Sequence, residues 1–241
     1  MRLFVLCVAA TLVAAVVPQS LDPRMILPPN PTSANYFTAA EYAWDQTMIW
    51  GIKAVNSVRK LTMTRTAFDP KLDVDVTFPK DESIAVLYSK IVTALSQRGL
   101  IMLHKEIRES NKTVKVPTVT GNPDLIALES EELISLGMEK FAESLTDLND
   151  AFTLSEKHLQ NTINKKVPQE AIRKIDQKLQ LGFSKLADFD DYTKVAFQKW
   201  RATLWAYRTS MSPAVMFFEL NLKDRENERR KIYQQIFIAK V

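Results

Sequence analysis

Apolar residues recur every three or four positions through most of the chain, a spacing that predicts helices rather than strands. The regularity is greatest after residue 130. Ile134, Met138, Phe141, Leu145, Leu148, Phe152 and Leu159 fall on alternating steps of four and three, with Ser155 filling the gap. Ile172, Ile175, Leu179, Gly182, Leu186, Phe189, Thr193, Ala196, Trp200, Thr203 and Tyr207 repeat that rhythm after Pro168. A sustained period of 3.5 means two helices that cross at a shallow angle and pack along their length. With Pro168 as the breaker between them, residues 123–166 and 168–211 are expected to form a long antiparallel hairpin of about 65 Å at 1.5 Å per residue.

Charge favours the same pairing. Residues 123–166 hold nine acids against four bases, and residues 168–210 hold eight bases against five acids. Opposite net charge favours association of the two segments over self-association of either. The start of the first segment is marked by Asn122 before Pro123, a capping side chain followed by a proline at the first helical position.

Two shorter helices are expected ahead of the hairpin. Thr38 and Glu41 have the form of a capping box, with Phe37 and Tyr42 as a staple, which places the first helix at about 38–65. Its stripe is Phe37, Ala40, Trp44, Met48, Ile52 and Val55. Residues 66–79 read as an extended loop, since a lone strand there has no partner. A second helix follows at about 80–110 with Ile84, Leu87, Ile91 and Leu95 as its stripe, and Gly99 as a point of bending or division. Residues 111–121, with Pro117 and several Thr and Val, form a linker. Beyond Pro213, a mixed-sign charged run from Lys223 to Lys231 fits the solvated face of a C-terminal helix. The fold class is therefore all-α: an elongated helical bundle, read as one domain over 38–241 after a Pro-rich lead at 21–37.

The first twenty residues read as a signal peptide. Arg2 is followed by an uncharged apolar run over 3–17, long enough for a signal core and too short to span a bilayer. Cleavage is expected between 15 and 20. No later stretch is apolar enough to predict a transmembrane segment in the mature chain, so the product is expected to be secreted.

Composition then removes most chemistries. The chain has 241 residues, one Cys and two His. Because Cys7 lies inside the signal, the mature chain has no thiol for nucleophilic, redox or zinc chemistry. Gly51, Gly99, Gly121, Gly137 and Gly182 stand too far apart for a phosphate-binding loop. His104 and His158 are isolated, so no metal site is assigned. Glu129, Glu131 and Glu132 suit the positive N-terminal pole of a helix. Asp188, Asp190 and Asp191 point in different directions on a helix and suggest a solvated face or a local break. No catalytic residue and no cofactor is assigned, and the chain is read as a non-enzyme. A net charge of +4 is too small and dispersed to argue for nucleic acid.

Two features remain. Asn111, Lys112 and Thr113 make one N-glycosylation sequon. Trp200, Trp205, Phe197 and Tyr207 belong to the densest aromatic stretch and are the candidates for contact with an apolar ligand, although Trp200 and Trp205 stand about 140° apart around a helix. The expected function is a secreted, non-enzymatic helical protein acting by surface interaction or as a structural component of an extracellular fluid, with a protein as its partner. The alternative is an extracellular carrier of lipid or another apolar small molecule.

Overall fold

The computed structural model describes residues 26–66, 82–160 and 168–211, and within them the chain is all-helical. Five helices follow in order: α1 (Ser33–Thr66), α2 (Glu82–Glu109), α3 (Pro123–Ala127), α4 (Ser130–Gln160) and α5 (Gln169–Met211). The signal, the loop after α1 and the C-terminal helix expected from the sequence lie outside the described residues.

The contacts fix the direction of each long helix. Ser33 at the start of α1 meets Glu106 near the end of α2, so these two are antiparallel. Glu41 and Arg59 of α1 meet Arg201 and Phe183 of α5, which makes that pair antiparallel as well. Trp50 of α1 packs on Phe141 of α4, and Val58 shares a cluster with Ala151 and Phe152, so α1 and α4 run the same way. The four long helices form an up-down-up-down bundle of two hairpins, α1–α2 and α4–α5, and all four contribute to one buried core.

The hairpin of α4 and α5 makes the most extensive contact. Its seam on α5 follows the heptad, with Ile175, Gly182, Leu186, Phe189, Thr193, Ala196 and Trp200 buried and Ile172, Leu179, Thr203 and Tyr207 of the expected row half-buried. On α4 the expected row of Ile134, Phe141, Leu145, Leu148, Phe152 and Ser155 is buried. Met138 is half-buried, and Leu159 lies outside the residues whose side chains are described. A second buried row runs beside it through Ser130, Gly137, Ser144 and Ala151, small residues one heptad apart. These let the backbones approach closely. Ser144 Oγ donates to the Gly182 carbonyl at 2.6 Å, and a Cβ on Gly182 would lie 3.2 Å from the backbone nitrogen of Leu148.

The charge asymmetry becomes an ion ladder along this hairpin. Asp147, with only 7% of its side chain exposed, receives Lys178 at 2.8 Å and Lys185 at 2.7 Å. Asp150 adds a contact to Lys178 at 3.0 Å and Glu143 one to Lys185 at 3.3 Å. Burial pushes the Asp147 carboxyl up, but hydrogen bonds from the two ammonium groups outweigh it and hold the carboxyl below its usual range.

Several expectations are corrected. The first helix begins at Ser33 rather than 38, which shortens the extended lead to end at Thr32. Its cap is a reciprocal pair one turn earlier: Asn35 Oδ1 accepts from the Thr32 amide at 3.0 Å, and Thr32 Oγ1 accepts from the Asn35 amide at 3.4 Å. Thr38 lies inside the helix and donates to the Ala34 carbonyl. On α2 the buried line is Ala85, Val92, Ser96, Gly99 and Leu103, so the expected stripe is displaced, with Leu87, Ile91 and Leu95 half-buried at its flank. Gly99 neither bends nor divides α2; it makes room for Trp200.

The first arm of the hairpin is not continuous from 123. Leu128 is extended and separates α3 from α4. Asn122 does cap α3, its side chain accepting from the Asp124 amide at 3.0 Å. Lys199 of α5 donates to the carbonyls of Ile126, at 3.2 Å, and Leu128, so a side chain from a distant helix supplies the donors that close this break. Glu131 and Glu132 stand in the first turn of α4, as the macrodipole argument requires. Helix α5 runs unbroken through Asp188, Asp190 and Asp191; the first and last are exposed and Asp190 is half-buried.

Candidate functional site

The densest aromatic packing lies near the end of the bundle that holds the start of α1 and the end of α5. Phe197 and Trp200 are buried at 1% and 0% exposure. Trp44 stacks on Phe197 with centroids 4.9 Å apart and planes at 10°, and Phe37 meets Trp200 edge-on at 5.0 Å. Phe197 and Trp200 are themselves 5.8 Å apart. Such pairs contribute about 0.5–1.5 kcal/mol beyond their buried area.

Each side chain arrives there for a local reason. Phe37 and Trp44 stand seven apart on α1, on one face. Phe197 and Trp200 stand three apart on α5 and share a face in the same way. Gly99 completes the wall from α2: a Cβ there would lie 2.7 Å from Cη2 of Trp200 and 2.7 Å from Cβ of Tyr36. The indole occupies the space a side chain would need.

One ion pair borders the aromatic cluster. The Arg201 guanidinium donates to Oε1 of Glu41, whose side chain is 5% exposed, and lies 5.7 Å from the Phe37 ring centre. This pair accounts for Glu41 better than a capping role. A comparable link fastens α1 to α2, where the Ser33 amide and hydroxyl both donate to the Glu106 carboxylate, the amide at 2.9 Å.

The other two ligand candidates are placed differently. Trp205 and Tyr207 are half-buried, and neither joins the ring contacts of Phe197 and Trp200. Burial, together with the carboxylates of Glu106 and Glu109, pushes the Tyr207 phenol up. The structure therefore brings two of the four candidates together; Tyr207, one heptad beyond Trp200, packs at the edge of the same core, and Trp205 lies on another face of α5. The indole nitrogens of both Trp200 and Trp205 are buried and have no hydrogen-bond partner among the described residues.

Elsewhere, His104 near the end of α2 and His158 near the end of α4 lie toward opposite ends of the bundle. Among the described residues no group of three His, Cys, Asp or Glu could hold a metal ion, and no helix is long and apolar enough to cross a membrane. Asn111, Lys112 and Thr113 are all exposed at the end of α2. Sequence reasoning missed Glu41, Arg201, Glu106 and Lys199. Their partners lie 71 to 160 residues away, beyond any local pattern.

No protein-family model, curated protein or solved structure matches the chain.

Proposed function

We propose that this chain is a secreted, non-enzymatic helical protein that acts through its surface, as an interaction partner of another protein or as a structural component of an extracellular fluid. The observation that supports this reading is the filled interior at the ligand candidates. Phe197 and Trp200 are in contact with Phe37 and Trp44, and Gly99 leaves no space for even a methyl group beside the indole. An apolar ligand of several hundred Å³ would have to separate helices packed at contact distance.

The carrier reading rests on a different observation. Two buried indole N–H groups, on Trp200 and Trp205, have no acceptor among the described residues, and a ligand oxygen would satisfy one. Titration with a fatty acid below its micelle concentration distinguishes the two. Surface action predicts unchanged tryptophan emission; a saturable shift at stoichiometric fatty acid would overturn it in favour of carriage.

A further inference from the structure

We propose that Asn111 carries an N-linked glycan. This rests on the secretory route proposed above, and the geometry around the sequon supplies the rest. Helix α2 ends where Ser110 donates its amide to the Glu106 carbonyl at 3.0 Å and Asn111 donates its amide to the Arg108 carbonyl at 3.4 Å. Asn111 then takes a φ of 51°, the left-handed conformation that asparagine tolerates better than most residues and that terminates helices. The turn carries the chain off the helix axis. Residues 112–120 continue without helix or strand, so the Thr113 hydroxyl is not held in a rigid element.

The contrast with other asparagines is informative. Asn35 and Asn122 each use the side-chain oxygen as a helix cap, and neither begins a sequon. The Asn111 side chain makes no hydrogen bond among the described residues, and Lys112 and Thr113 are exposed beside it. A branched saccharide on Asn111 would extend into solvent without displacing a core contact.

The modification is a group transfer from a lipid-linked pyrophosphate oligosaccharide. The Asn111 Nδ2 atom forms a bond to the anomeric carbon of the terminal N-acetylhexosamine. The bond from that carbon to the pyrophosphate breaks, its electron pair leaves with the phosphate, and the amide gives up one proton.

The test expresses the full chain in a glycosylating eukaryotic cell in two forms, one with residues 1–20 as they stand and one with those residues replaced by an established secretory leader. The second form is expected to show one step in apparent mass, removed by a glycan-specific amidase with conversion of the Asn111 amide to a carboxylate. Asn111→Gln and Thr113→Ala should lose the step, and Thr113→Ser should retain it. Secreted product of the second form without the step would overturn the glycan, whatever the first form does. Retention of the first form inside the cell, with the second secreted and carrying the step, would overturn the leader reading alone and leave the glycan standing.

Discussion

Replacing Gly99 by Ala tests the close approach of α2 to α5 directly. In an isolated helix the change is favourable by about 1 kcal/mol, because glycine loses more backbone freedom on ordering. Here the added methyl would meet the Trp200 ring and Cβ of Tyr36 at 2.7 Å, well inside the 3.5–4.0 Å at which carbon atoms pack. Neither neighbour yields easily: Tyr36 presents a Cβ fixed to the α1 backbone, and the indole is held by Phe37 and Phe197. Overpacking of this kind costs about 1–3 kcal/mol, so the net loss should be about 0–2 kcal/mol. The sharper measure is a double-mutant cycle with Trp200→Phe, which removes the outer edge of the bicyclic ring. In that background the contact with the outer edge of the indole is removed while the one with Cβ of Tyr36 remains, so Gly99→Ala should cost less than it does beside Trp200. The coupling, read by urea denaturation with far-UV circular dichroism, should be about 0.5–2 kcal/mol. Equal stabilisation by about 1 kcal/mol in both backgrounds would refute the contact.

Two further outcomes follow from the hairpin. Leu148→Ala should cost about 2–5 kcal/mol, because Leu148 is fully buried and fills the notch over Gly182; a loss under about 0.5 kcal/mol would mean the seam is open. Asp147 should make stability fall in acid. Its folded carboxyl is held low, so its contribution is complete above the ordinary carboxylate range near pH 4 and lost as pH falls through the lowered folded value. Comparison with Asp147→Asn should show a difference of about 1–2 kcal/mol at pH 7 that shrinks toward pH 2, discounted for the partly exposed lysines; a constant difference across that range would remove the ion ladder from the account.

What was legible in the sequence was whatever depended on period. Seven of the nine buried positions of α5 from Ile175 to Trp200 follow from spacing alone, Val195 and Phe197 being the other two, and so do the pairing of α4 with α5 and the charge complementarity that became the Asp147 ladder. Distant partners set what local pattern could not. Thr38 and Glu41 imitate a capping box, but Glu41 is drawn into the interior by Arg201, and the working cap uses Thr32 with Asn35. The break at Leu128 contains neither glycine nor proline; it is closed by Lys199 from α5. On α2 a search for large apolar residues overlooked a buried line that includes alanine, serine and glycine, residues whose value lies in the space they leave. For the aromatic candidates, angle around the helix correctly separated Trp200 from Trp205. It gave no hint that Phe37 and Trp44 would enclose Trp200 and Phe197 from α1.

The alternation of helix direction has an electrical consequence. Each long helix carries about half a unit of positive charge at its N-terminus and half a unit of negative charge at its C-terminus. One end of the bundle gathers the N-termini of α1 and α4 with the C-termini of α2 and α5, and the other end gathers their opposites. The four backbone dipoles cancel in pairs, and neither end acts as a pole. With little net field along the helix axis, the orientation of a molecule that has come within a Debye length of about 8 Å is governed by the pattern of exposed lysine, arginine and carboxylate along the flanks.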